Sequence, residues 1–497
     1  MFQVADPKPG KKPDSAHSKT NRKVLNPQHI NYFGVKMVAP EDVTKYIASN
    51  DIKWVDLQFT DIIGTLHRFA IPGHILSEDS FSKGVSGPNV NEIFKGEEIS
   101  ELRILPDANG FARIPWENSS IRVLGSTIVA ITEEKYLKDS RYVIEHMETS
   151  LKAAGITTAR MNSEVEFYLF DAVSSDKTPN GQTSSHLIES REGIWNPSPI
   201  TSKEGAYANE PFDMLSAVRA QIADTMSTNF KYPIDYHCHG RAKTAQQKVA
   251  IGTNTLKNAA DAFMTLKYIT RNAAFLANTM ATFMPLPLSN DKGSSMQIGS
   301  SLWKKDRNAF YDSADKYAQI SQVARYYIGG ILEHGASLSL FINPTINSYK
   351  RLKRDRYYLA WSKHNNNSIV KVPNAMANDD IGKKVMVNSA DPSVNPYLAY
   401  AAIIAAGLDG IKKKSECGDP IEKNIDRMDD KKRRAEKIKL LPESFNEAME
   451  AIESDIGFLR GVIPTELLSE YLDIKLEEVK LMDHSVTSYE VSRYFNI

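Results

Sequence analysis

Apolar and polar positions alternate over much of two stretches, Ile52–Asp61 and Met161–Phe170, and each alternation predicts a β-strand. In the first, Val55, Leu57 and Phe59 form the apolar face; Gly64 then turns the chain into Thr65–Pro72, a second strand of similar length that completes a hairpin. Pro40–Ile47 reads as a short preceding helix, so the chain up to about residue 135 is expected to be a small α+β unit. In the second alternation, Val165, Phe167 and Leu169 face one way and Glu164 and Glu166 the other. A 3.6-residue period predicts a long helix over Leu256–Asn278, its stripe formed by Phe263, Leu266, Ile269, Ala273, Leu276 and Ala277. Ser444 and Glu447 form a capping-box pattern before the stripe Phe445, Met449, Ile452, Ile456 and Leu459, with Gly461 as the expected stop. The stretch from Val173 to Asp213 has little pattern and reads as a long loop, and Met1–Asn31 as a disordered polar tail.

Composition narrows the class. A chain of 497 residues with 41% hydrophobic and 25% charged content buries a large core in more than one domain. Sixty-one basic residues balance sixty-one acidic ones, which gives no field to recruit nucleic acid, and no apolar run reaches membrane-span length. The basic run Lys412–Lys439 reads as solvated surface. Two cysteines, Cys238 and Cys417, build no disulfide framework, and no signal-like segment follows the start, which points to the cytoplasm. The chemistry concentrates at Glu164 and Glu166, two residues apart on one strand face and therefore about 6.5–7 Å from each other. Such a pair can hold divalent cations; taken alone, it also describes a half-buried strand with an acidic wet face.

Further blocks follow in a fixed order: Ala281–Pro287, Gly293–Trp303, Asn343–Leu352 and Asp391–Ala402, with Trp54–Gly64, Leu105–Asp107, Ala406–Ile411 and Leu441–Ser444 around them. Together with the paired-Glu strand they resemble type I glutamine synthetase, from about residue 35 to the C-terminus. The resemblance implies an α+β fold: a polar tail over 1–34, an N-terminal β-grasp domain over 35–140, and over 141–497 a large C-terminal domain whose curved antiparallel sheet and helices form a funnel-shaped site. It also implies stacked hexameric rings, and a two-step reaction in which ATP phosphorylates the glutamate γ-carboxylate before ammonia displaces the phosphate, with Mg²⁺ or Mn²⁺ ions neutralising the crowded charge.

Carried over position by position, the resemblance leaves much of that machinery out. Glu164 and Glu166 match two metal ligands, but the other four ligand positions hold Gly240, Lys248, Gln297 and Met386. The aspartate that helps deprotonate ammonium in the family is matched by Ser86. Of the arginines that bind glutamate and phosphate, Arg351 persists as a substrate-binding candidate, whereas matching positions are Asn366, Lys371 and Asn388. Lys371 keeps a charge without the bidentate fork. The flap carrying a site-closing glutamate is shortened to Lys353–Arg356, the nucleotide block is altered at Leu286, Lys292 and Ser295, and Asp426 replaces the regulatory tyrosine.

The expected function is therefore that of a non-catalytic homologue with a structural or regulatory role in nitrogen metabolism, a homo-oligomer or a mixed assembly with an active paralogue. No nucleic-acid or membrane partner is expected, and no cofactor is assigned. The alternative is an active glutamate–ammonia ligase, or a related carboxylate–amine ligase, that uses ATP and Mg²⁺ or Mn²⁺ with unusual site residues. Lys248 is expected to replace the metals through buried ion pairs with Glu164 and Glu166. His237 and His239 share a strand face and offer half of a Zn²⁺ site.

Overall fold

The computed structural model describes residues 38–88, 90–94, 101–177, 184–197, 199–200, 205–373, 379–436 and 438–494. The expected N-terminal tail lies outside these residues. The Ile52–Asp61 alternation forms β1 (Trp54–Thr60), which pairs antiparallel with β2 (Leu66–Pro72), so the hairpin is present as read. The chain continues through β3 (Val85–Ser86), β4 (Leu102–Pro106), β5 (Ala112–Arg113) and β6 (Ser120–Val129). Six strands form one sheet in the order β2-β1-β6-β4-β3, with β5 beside β6; β1 and β6 are parallel and the other pairs antiparallel. Val55, Leu57 and Phe59 are all buried, as the alternation requires.

The second sheet is built around β7 (Thr158–Phe170). β8 (Ala172–Lys177) and β9 (Ser184–Glu189) form a separate antiparallel hairpin, which corrects the expectation of an unpatterned loop from Val173. Cross-strand bonding supplied what the polar composition hid: a two-stranded ribbon needs no apolar stripe to pair its backbone. Then come β10 (Ile234–His239), β11 (Gln246–Thr255), β12 (Met280–Thr282), β13 (Met296–Lys304), β14 (Arg307–Asn308), β15 (Tyr358–Ser362), β16 (Ser368–Lys371) and β17 (Val385–Val387). Their order is β10-β11-β7-β13-β17-β16-β15, with β12 on β7 and β14 on β13; only β15 and β16 run parallel. This is the α+β architecture expected.

Helices cover this sheet. Leu256–Leu276 packs Phe263, Leu266, Ile269 and Ala273 into the core, but its buried stripe ends there: Leu276 is 54% exposed. The helix opened by Ser444 ends at Ser454; the Ser444 hydroxyl accepts from the Glu447 amide at 3.2 Å as predicted, but a 3₁₀ turn over Gly457–Leu459 precedes Gly461, so that glycine stops no helix. The helices Gln322–Glu333 and Pro396–Lys413 meet at glycines, where a Cβ on Gly330 would lie 2.1 Å from the Ala406 carbonyl oxygen and 2.8 Å from the Gly410 Cα. Arg141 joins the first sheet to the helix Leu256–Leu276: buried, it donates to Asp261 of that helix at 3.0 and 2.8 Å, to Asp107 at 2.8 Å and to Ser126 on β6 at 3.2 Å. No helix among the described residues is long and apolar enough to cross a membrane.

Candidate active-site cleft

The register of the second sheet brings the scattered site positions together. β7 is flanked on one side by β11, which places Lys248 opposite Glu166, and on the other by β13, which places Gln297 opposite Glu164. One strand further, β17 sets Met386 opposite Gly299 on one side and opposite Lys371 of β16 on the other. Glu164, Gln297, Lys371 and Met386 thus line one cleft of about 530 Å³, with Lys363, His364, Lys384 and Asp379 around its mouth.

The two glutamates have separate partners. Lys248 reaches diagonally past its cross-strand neighbour, and its Nζ stands 2.6 Å from Glu164 Oε2. Both side chains are largely covered, at 17% and 18% exposure. Burial alone pushes the Glu164 carboxyl up, but the Lys248 charge, with hydrogen bonds from Lys248 and Tyr236, outweighs it and brings the carboxyl below its ordinary value. Burial likewise works against the Lys248 ammonium, yet Glu164 and Glu166 together raise it. Glu166 is 1% exposed, so the acidic face is not wet as the alternation suggested; β10, β11 and the loop before β13 cover it. Its Oε2 accepts from the Ser295 amide and hydroxyl, both at 2.8 Å, and Oε1 lies 3.5 Å from Arg241 Nε.

A hard divalent cation requires about six oxygen ligands. Here Gly240 brings no donor, and a Cβ on it would meet the Gln246 side chain at 2.5 Å. Met386 brings a thioether, and the carboxylates of Glu164 and Glu166 are already matched by cations and N–H groups. The residues present do not fit Mg²⁺ or Mn²⁺ at this place. The Zn²⁺ alternative also finds no support in the geometry: His237 Nδ1 accepts from Arg219 Nε at 3.2 Å, while the buried His239 faces Glu192 at 3.3 Å and the Gly240 carbonyl at 2.9 Å. A guanidinium beside His237 repels a metal ion, and burial together with that charge lowers its basicity.

Other candidate positions lie as follows. Arg351 is fully buried; its Nη2 donates to the Ser389 and Ala390 carbonyls, and its Nε and Nη1 have no hydrogen-bond partner. Asn388 is buried and donates to the Ser368 carbonyl at 3.3 Å, and Asn366 accepts from Lys371 at 2.9 Å. Ser86 sits at the edge of the first sheet and donates to Glu101 at 2.9 Å. Asp426 accepts from the Tyr358 hydroxyl at 2.8 Å. Sequence reasoning missed Tyr236, Arg241, Lys363 and Lys384. Of these only Lys384 carried a signal, as a polar residue entering the apolar run Val385–Val387; Tyr236 depends on strand register, and Arg241 and Lys363 on loops beyond strand ends, which no local pattern encodes.

The chain matches the family model "Glutamine synthetase, catalytic domain" over residues 137–494. It is 37% identical over 464 residues to the glutamine synthetase of Sulfolobus acidocaldarius, covering 92% of this chain and 98% of that protein, and 34% identical over 478 residues to that of Frankia alni, covering 92% and 99%. In fold it is similar to the glutamine synthetase of Plasmodium falciparum, with a TM-score of 0.81 at 21% identity over 93% of this chain and 100% of that one. With a catalytic-domain match over most of its length and full-length relatives above the level where family is secure, this chain belongs to the glutamine synthetase family.

Proposed function

We propose that this chain is a glutamine synthetase homologue whose cleft is held together by its own cations and does not carry out metal-dependent glutamine synthesis. The observation behind this reading is the Lys248 ammonium at 2.6 Å from Glu164, a carboxylate that the family resemblance makes a metal ligand. Phosphoryl transfer from ATP depends on divalent cations to offset charge on the transferred group. One lysine charge, already matched by a carboxylate, does not replace them. The protein then has a structural or regulatory role in nitrogen metabolism, as a ring-forming homo-oligomer or mixed with an active paralogue, in the cytoplasm, with an N-terminal unit over 35–140 and the site-bearing unit over 141–497. The support for assembly, location and boundaries is the family resemblance.

A second reading is an active glutamate–ammonia or related carboxylate–amine ligase using ATP and Mg²⁺ or Mn²⁺. The relatives favour it, since those that align over nine-tenths of this chain are named glutamine synthetase. The cleft geometry favours the first. The deciding experiment is phosphate release and glutamine formation by the purified protein with ATP, glutamate, ammonium and either metal. The expected result is no turnover above the protein-free control; turnover on the order of 1 s⁻¹ or faster, the ordinary range of enzymes, overturns the proposal.

A further inference from the structure

Charges around the cleft do not balance once the ion pairs are assigned. Glu164 is matched by Lys248 and Glu166 by Arg241 and Ser295. Three lysines remain on the lining: Lys363, Lys371 and Lys384. None has a carboxylate within ion-pairing distance among the described residues. Lys371 donates only to the neutral Asn366 side chain, at 2.9 Å, and Lys363 lies 4.4 Å over the Tyr317 ring. Lys384 runs beside Gly299, where a Cβ would come 3.2 Å from its Cδ and 2.2 Å from Asn162 Oδ1; the glycine makes room for both side chains. Burial, with the Lys248 and Arg241 charges adding to it, brings the Lys371 ammonium below its ordinary range, although Glu164 opposes this. An arriving anion would relieve that cost.

Two further carboxylates stand near. Asp379 on the lining accepts from the Gly382 amide at 2.8 Å, and Glu422 is occupied by the Lys363 and His364 amides at 2.7 and 3.1 Å and by the Tyr317 hydroxyl. Among the described residues the lining therefore offers three lysines without an ion-pair partner and the Gln297 amide, against one carboxylate at the mouth, Asp379, that holds only a backbone N–H. That combination discriminates among anions.

Resting on the metal-free reading of the site given above, we propose that this cleft binds a small polyanion without an ammonium group, a dicarboxylate or a pyrophosphate-type compound, in the absence of any divalent cation, with Lys371 and Lys384 as its principal contacts. An α-amino acid is disfavoured because its ammonium would face Lys371 and Lys384 with Glu164 already engaged. Two charge-assisted contacts in a partly dehydrated cleft account for binding in the range of about 1 mM or tighter.

The test is calorimetric titration of the full-length protein in EDTA with glutarate, pyrophosphate and glutamate, alongside the turnover assay described above. The expected result is saturable binding of glutarate or of pyrophosphate, whichever binds identifying the source of the anion, with glutamate weaker by roughly tenfold. Lys371→Ala with Lys384→Ala should weaken binding by roughly a hundredfold while the urea unfolding midpoint stays near that of the parent; the milder Lys384→Gln, expected to weaken binding by roughly tenfold, serves if the double variant fails to fold. No binding of either polyanion in EDTA overturns the inference, as does glutamate binding equal to glutarate. Turnover with Mg²⁺ or Mn²⁺ overturns the metal-free reading instead, so the two failures are distinct.

Discussion

Replacing Lys248 by methionine keeps most of the side-chain volume and removes only the charge, which isolates the ion pair with Glu164. At the effective dielectric of about 20 that suits such pairs, unit charges 2.6 Å apart attract by about 6 kcal/mol. Most of that offsets the desolvation of the two ions, which is why a complete pair adds little net stability. Removing one partner is different: Glu164 keeps its desolvation cost and loses its counter-charge. Breaking a fully buried pair costs about 3–5 kcal/mol. Side chains 17% and 18% exposed admit some water, and Tyr236 still donates to Glu164, so a loss of about 2–3 kcal/mol is expected for Lys248→Met. The single change Glu164→Gln should cost about as much, and the double variant should lose only about 2 kcal/mol, well short of the additive sum of about 5 kcal/mol, giving a coupling energy of about 3 kcal/mol in a double-mutant cycle. Urea unfolding followed by tryptophan fluorescence measures all four proteins. Additive losses in the cycle, or an unchanged midpoint for Lys248→Met, would refute the claim that this pair neutralises the site.

Charge reversal in Lys248→Glu is expected to create saturable Mn²⁺ binding, read by electron paramagnetic resonance as loss of free-ion signal, in a protein whose parent shows none at the same concentration. Glu166→Leu should destabilise by about 2–4 kcal/mol, because the buried Ser295 amide loses its acceptor, whereas Glu166→Gln should retain more than half of that stability in the same urea assay. His334 is held between Asp455 and Asp409 at 2.8 Å each; burial lowers its basicity, but these bonds raise it net above 6.5. The protonated form therefore adds stability that is complete below pH 6.5 and is lost as pH rises through the raised value, so the midpoint difference between parent and His334→Asn should shrink on going from pH 6 to alkaline pH. Gly330→Ala should cost about 2 kcal/mol or more, since its Cβ would strike the Ala406 carbonyl and force the helices apart, as thermal unfolding would show.

The elements that carried a strong period were legible before any coordinates. Val165, Phe167 and Leu169 sit on one buried face of β7, and the β1–β2 hairpin follows its alternation and its Gly64 turn. Legibility failed where a partner far along the chain decided the outcome. Glu166 reads as solvent-facing because alternation reports only one strand, whereas Ser295, 129 residues away, closes over it. Leu276 reads as core because the period continues past Ala274, the last buried residue of the helix. Lys248 opposite the glutamates followed from family resemblance, but Tyr236 and Arg241 belong to the register between β10 and β11 and to a loop, and neither leaves a mark in local composition.

The diagonal bridge from β11 to β7 also changes what the fold depends on. Where carboxylates on adjacent strands are held together by an ion from solution, the sheet's integrity varies with how much of that ion is present, and a chelator can withdraw it. In this chain the counter-charge is encoded in the polypeptide and is synthesised in a one-to-one ratio with Glu164. On the metal-free reading proposed above, the sheet closes as soon as its strands pair, at any concentration of magnesium, and EDTA should leave it unchanged.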